Sequence, residues 1–198
     1  DLVVGTCGGG PENMGIKLAG SNSTVRNNNI HSNGGAGLAT TGSGIANLIS
    51  QNSFYTNGTT SDALGIDLDG DGVTLNDSGD SDSGFNNLLN FPIISAVFIQ
   101  GTNLIVKGWS RPGATLEFYF TDINEGAAPA GSNRLGNSTD YGEGQVYFAT
   151  VIEGSGSDLD AGSSNYTDSD GNTDTTNRFH IQLPLPSGTT IGELITAT

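Results

Sequence analysis

The stretch Val25-Arg26-Asn27-Asn28-Asn29-Ile30-His31-Ser32-Asn33-Gly34 recurs as Ile49-Ser50-Gln51-Asn52-Ser53-Phe54-Tyr55-Thr56-Asn57-Gly58, displaced by 24 residues. Each copy follows a short strand-like piece, Gly15 to Leu18 and then Gly37 to Thr40, and a third such piece, Gly65 to Leu68, runs into an acidic segment. A period of this length, with an apolar residue at alternate positions and Asn-Gly at the corners, is what one coil of a parallel β-solenoid requires. Stacking the coils puts Ile16, Leu38 and Ile66 in one inward column and Ile30 with Phe54 in another. It also puts Asn28 over Asn52 and Asn33 over Asn57. Asparagine tolerates the left-handed backbone of a corner, and stacked amides hydrogen-bond from coil to coil, so turn chemistry accounts for these residues without a ligand. His31 and Tyr55 follow inward residues and are expected to face out.

Composition narrows the rest. The 198 residues suffice for one or two domains with cores, and 34% hydrophobic content with 31 glycines points to a turn-rich β protein. Six Lys plus Arg against 21 acids give a formal charge of -15, which repels a phosphate backbone or an anionic membrane; nucleic acid is excluded as a partner. The longest apolar run, Phe91 to Ile99, is broken by Pro92 and Ser95, so no membrane insertion is expected. Cys7 is the single cysteine and can form no internal disulfide. Few Cys, Met and Lys among abundant Asn, Ser, Thr, Gly and Asp suit an exported bacterial protein at the cell surface or beyond it.

The segment Asp67-Leu68-Asp69-Gly70-Asp71-Gly72, followed by Asn76-Asp77 and Asp80-Ser81-Asp82, crowds carboxylates into one loop. Alternate carboxylates converge their oxygens and glycines permit a sharp turn, which suits Ca²⁺. The opening fits the EF-hand pattern D-x-[DN]-x-[DN]-G, but Ser78 stands where the bidentate Glu belongs and no helix-forming sequence flanks the loop. A calcium loop of another kind is expected, with Asp77, Asp80 and Asp82 replacing the missing Glu; the alternative is a solvated acidic turn.

Gly65-Ile66-Asp67-Leu68, Asp71-Gly72-Val73-Thr74, Asn76-Asp77, Gly79-Asp80, Asp82, Gly84, Asn86, Leu88 and Asn90-Phe91-Pro92 together resemble the closing signature of right-handed parallel β-helix repeat proteins of bacterial surfaces. The resemblance covers residues 15 to about 92 and implies a calcium-stabilised junction at Asp67 to Asp82, leading into a β-sandwich-like domain.

From Phe91 onward the pattern changes to longer alternating strands. Ile93 to Ile99, Asn103 to Gly108, Thr115 to Phe120, Gln145 to Glu153, Arg178 to Leu183 and Glu193 to Thr198, bounded by Gly or Pro turns, predict an immunoglobulin-like sandwich. Arg111 to Ala114, Tyr141 to Gln145 and Leu194 to Thr198 resemble the domain that follows those β-helices. A second acidic cluster, Asp158-Leu159-Asp160 with Asp168-Ser169-Asp170-Gly171-Asn172-Thr173-Asp174, has alternate oxygens and a glycine turn; it reads equally as a further calcium site or as ordinary loop composition. The division expected is residues 1–90 as β-helix coils, with the acidic cap loop at 67–90, and 91–198 as the sandwich.

Catalysis finds little support in the residues. A glycosidase needs two carboxylates across a groove, and the coils carry almost none before Asp62. The basic side chains of the coils, Lys17, Arg26 and His31, do not enter the acidic segment, so a metal-assisted lyase lacks its base there. His180 falls between Phe179 and Ile181 in an alternating strand and is expected to face out. The reading is an all-β, non-enzymatic extracellular structural module: a stalk, adhesin or filament subunit that contacts copies of itself or the rest of a larger surface protein. Both ends read as unfinished, with more chain or neighbouring copies expected to cover them. The alternatives are the terminal region of a β-helical polysaccharide-degrading enzyme or a glycan-binding module. For glycan binding, Tyr55, Trp109, Tyr119, Tyr141 or Tyr166 would stack on sugar rings.

Overall fold

The computed structural model describes residues 3–4, 13–59, 63–121, 141–160 and 162–198, so Cys7 and Asp62 lie outside the described residues. The protein is all-β, and among the described residues the only helical element is a distorted 3-10 turn at Phe85–Leu88. No helix among them is long and apolar enough to cross a membrane.

The first part is built from short strands: β1 (Val3–Val4), β2 (Ile16–Ala19), β3 (Thr24–Arg26), β4 (Asn29–His31), β5 (Leu38–Thr41), β6 (Leu48–Ser50), β7 (Ser53–Tyr55) and β8 (Ile66–Asp67). They pair in parallel in the orders β1-β4-β7, β2-β5-β8 and β3-β6. The register sets Ile16 beside Leu38 and Leu38 beside Ile66, and sets Ile30 beside Phe54. Ile30, Leu38 and Phe54 form a buried cluster that Ile16, Val25, Ile49 and Ile66 complete. With so few large side chains, buried amides supply much of the remaining order. Asn28 donates from its backbone N and from Nδ2 to Asn52 Oδ1, both at 3.0 Å, and Asn33 Nδ2 donates to Asn57 Oδ1 at 2.8 Å.

The second part carries β9 (Ile93–Gln100), β10 (Asn103–Ser110), β11 (Thr115–Thr121), β12 (Val146–Ile152), β13 (Ser163–Thr167), β14 (Thr173–Pro184) and β15 (Leu194–Ala197). Two antiparallel sheets, β13-β14-β10-β9 and β12-β11-β15, face each other across Leu104, Val106, Leu116, Phe118, Val151, Phe179 and Ile181. Two elements differ from the sequence reading. Strand β13, all polar except Tyr166, carries no apolar alternation to announce it. Strand β14 begins at Thr173 rather than Arg178, because Asp174 and Thr176 point inward onto hydrogen-bond partners rather than onto apolar core.

Gly108 shows how tightly the sheets are built. A Cβ there would overlap the Ile93 carbonyl oxygen and reach the Phe179 ring, and the β9–β10 register shifts beside it.

Candidate functional site

The first acidic segment does not converge as its alternate spacing predicts. Asp67 ends β8 buried, on the strand face opposite Ile66, and accepts the Gly72 N–H at 3.3 Å, while Asp69 and Asp71 are exposed. Burial pushes the Asp67 carboxyl up to about 6; the Gly72 N–H opposes the rise and the neighbouring Asp71 charge adds to it. Asp69 takes a left-handed backbone, φ 75°, and its N–H donates to Thr40 Oγ1 at 2.9 Å.

The second half of the segment is hydrogen-bonded to the second part of the chain. Asn76, 3% exposed, donates through Nδ2 to the Phe91 carbonyl at 2.7 Å and the Tyr166 hydroxyl at 2.8 Å, and accepts the Phe91 N–H at 2.9 Å. Asp77 accepts the Ser81 N–H at 3.1 Å together with the Ser81 hydroxyl. Asp80 accepts the Asn90 N–H at 2.6 Å and pairs with the Arg111 guanidinium. Asp82 is different: its Oδ1 is buried without a hydrogen-bond partner among the described residues, and burial followed by the Asp77 charge pushes its carboxyl above the usual range.

The second acidic cluster divides in the same way. Asp168 folds the β13–β14 turn around its carboxylate, accepting the N–H groups of Asp170 and Asn172 at 3.0 Å and Asn172 Nδ2 at 2.7 Å. Asp170 meets the Tyr141 hydroxyl at 3.4 Å. Asp174, 6% exposed, accepts the Gly79 N–H at 2.9 Å and its neighbour Thr175 N–H at 2.7 Å. Asp158 collects the N–H groups of Gly154, Asp160 and His180. Asp160 holds Arg178 through both oxygens, at 2.8 and 3.1 Å, and this hydrogen-bonded guanidinium with the Gly162 N–H brings the Asp160 carboxyl down to about 2.

Tertiary structure therefore joins what the sequence keeps 90 residues apart. Besides the Asn76–Tyr166 bond at that separation, Asn76 N–H donates to Asn172 Oδ1 at 2.9 Å and Thr173 N–H donates to the Asn76 carbonyl at 3.1 Å. The Tyr166 hydroxyl is held above its ordinary pKa by burial first and then by the charges of Asp174, Asp168 and Asp77, against the pull of the Asn76 bond. Among the described residues no three Asp, Glu, His or Cys side chains already surround one point. Asp82 Oδ1, near the Asp77 charge, is the one carboxylate oxygen of these loops that is buried without a hydrogen-bond partner among the described residues.

Two residues that sequence reasoning missed are the buried acids Glu117 and Glu143, 7% and 1% exposed. Glu117 accepts from Ser50 Oγ at 2.6 Å, Gln51 N–H at 2.8 Å and Tyr119 OH at 2.6 Å, while Glu143 accepts Asn57 Nδ2 at 2.6 Å and Asn57 N–H at 3.0 Å. The available signal for Glu117 was its place between Leu116 and Phe118 in a strand whose every other residue after Thr115 is apolar or Thr121. Strand β11 is buried on both faces because the first part of the chain covers its outer side.

Of the aromatic residues considered for sugar stacking, Tyr119 and Tyr166 are buried, 3% and 8% exposed, and Trp109 donates Nε1 to Ser164 Oγ at 2.9 Å. His31 and Tyr55, half-buried, stack on each other at 4.6 Å. His180 is half-buried in β14 opposite Lys107. A shallow depression of about 190 Å³ lies beside Asp80, Arg111 and Asp174. No family model matches the chain, and no solved structure matches it.

Proposed function

We propose that the protein is a non-enzymatic structural module of a bacterial cell surface, a stalk, adhesin or filament subunit, whose two halves are held together at a calcium-dependent junction. In this reading the parallel strands are coils of a short right-handed β-helix and the second part is an immunoglobulin-like sandwich; its partners are copies of itself or the rest of a larger surface protein. The observation that carries the proposal is the junction: two acidic segments interlocked through Asn76, Gly79, Asn172 and Asp174, with Asp82 Oδ1 left without a donor among the described residues. The acids here are engaged in backbone N–H groups and arginines, which is the chemistry of a tie rather than of a proton-transfer pair across a cleft. Asp82 and Asp77 are the residues that would hold the ion, which would supply the positive charge their mutual repulsion asks for.

The test is thermal unfolding of the whole chain in chelator and in millimolar CaCl₂ at matched ionic strength. An ion bound only by the folded state raises Tm by mass action, about 2.7 kcal/mol at a hundredfold excess over Kd. Asp82→Asn is expected to remove the calcium-specific rise while leaving the protein folded. Identical Tm values with calcium and with chelator would defeat the cation part of the proposal.

A further inference from the structure

Three asparagines of the first part obey one rule. At Asn47, Asn52 and Asn57, spaced by five residues, the side-chain oxygen accepts a backbone N–H from 24 residues earlier: Ser23 at 2.9 Å, Asn28 at 3.0 Å and Asn33 at 3.3 Å. Each Nδ2 then donates to the carbonyl 27 residues earlier: Gly20 at 2.9 Å, Val25 at 2.8 Å and Ile30 at 3.0 Å. Each amide thus serves the row before it, and at Asn47 and Asn57 the backbone N–H and Nδ2 also donate to the residue that follows in the stack. The direction is fixed, since the amide oxygen only accepts and the amide nitrogen only donates.

The row after Asn57 is not another strand of the repeat. Glu143 stands there, and its two oxygens take the Asn57 N–H and the Asn57 Nδ2, the pair of Asn33 donors that Asn57 Oδ1 takes one row earlier. Its neighbours follow suit: the Gly144 carbonyl accepts the Phe54 N–H at 2.9 Å and the Gln145 carbonyl accepts the Ser53 hydroxyl. Glu117 on β11 takes Ser50 Oγ and the Gln51 N–H of the same row. At the third corner Asn86 Oδ1 accepts the Asn47 N–H at 3.1 Å, presented by three successive left-handed residues, Asn86, Asn87 and Leu88, at φ 48°, 58° and 49°. Leucine is uncommon in that region, so the backbone there is strained into place. At the opposite end of the ladder Asn33 Oδ1 is buried without a hydrogen-bond partner among the described residues.

We propose that Glu143, seconded by Glu117, terminates the asparagine ladder, and that Glu117 and Glu143 to Gln145 form the surface on which the donor edge of this chain's own row, Ser50 to Asn57, docks. A carboxylate is suited to the place because it accepts two N–H groups and, having no proton to donate, offers the ladder no continuation. The stack ends where the acids are, and its partner surface is an edge of backbone and amide N–H groups rather than an apolar face. This inference does not rest on the calcium junction, and its test is made in chelator so that the two fail separately.

The experiment is amide hydrogen exchange on the whole ¹⁵N-labelled chain. In the wild-type protein the side-chain amide of Asn57 is expected to exchange at least about a hundredfold more slowly than that of exposed Asn87, as a buried, charge-bonded group should. Equal rates overturn the proposal without any variant, which covers the case of a variant that fails to fold. Glu143→Gln puts an NH₂ where an acceptor stood, and is expected to speed exchange at Phe54 and Asn57 by about tenfold or more while Val106 in the sandwich core keeps its rate. Glu153→Gln is the control, since Glu153 is also buried but ties Gly113 to Asn177 within the second part of the chain. If Glu143→Gln leaves Asn57 unchanged, or speeds it no more than Glu153→Gln does, Glu143 terminates nothing.

Discussion

Asp67 and Asp160 show how one residue type takes opposite behaviour from its surroundings. Asp160 gains a guanidinium and Asp67 loses water, so the first carboxyl falls to about 2 and the second rises to about 6. The consequence for stability follows from linkage. Unfolded, Asp67 titrates near the ordinary value of about 4, so between about pH 4 and 6 the folded chain binds the extra proton. Its contribution is present below about pH 4 and is lost as the pH rises through 6, with an upper size of about 3 kcal/mol. Urea unfolding in chelator at pH 4, 5 and 6.5 is expected to show this decline, and Asp67→Asn to flatten it. A wild-type slope that persists in the variant would place its origin elsewhere.

Among the elements, β10 and β11 explain why the two antiparallel sheets are both a core and a contact. Strand β10 lies between β9 and β14, and its Gly108 lets the Ile93 backbone and the Phe179 ring close on it. Gly108→Ala has no room to relax, and overpacking of this kind costs about 1 to 3 kcal/mol, read as a lower denaturation midpoint with an unchanged m-value. Strand β11 turns Leu116 and Phe118 into the apolar core and turns Glu117 to the parallel rows. Glu117→Ala strands the Ser50 and Gln51 donors in a buried interface and is expected to destabilise by about 2 to 4 kcal/mol, whereas Glu193→Ala, at an exposed turn, stays within about 0.5 kcal/mol.

At the scale of the whole molecule the formal charge of -15 acts against compactness, and the fold places part of that charge where two acidic loops meet. Screening should relieve it. Raising NaCl from about 20 mM to about 500 mM, which shortens the Debye length from roughly 20 Å to a few ångströms, is expected to raise Tm by several degrees in chelator. A Tm that falls or stays level with salt would mean that attractive pairs such as Arg111–Asp80 and Arg178–Asp160 outweigh the repulsion.

The repeat of Val25 to Gly34 in Ile49 to Gly58 was enough to align the inward residues and to set Asn28 on Asn52 and Asn33 on Asn57, because each of those contacts is made between copies of one local pattern. The long strands β9, β10 and β11 were legible for the same reason: alternation is written within the strand itself. Tertiary structure alone decided what the acids do. Spacing could not tell that Asp80 would meet Arg111, that Asp160 would meet Arg178, or that Asn76 would reach Asn172 and Tyr166, since each partner comes from a distant element. Nor could it mark Glu143 as the end of a ladder. A carboxylate reads as a surface charge until the fold brings two N–H groups to it and takes the water away.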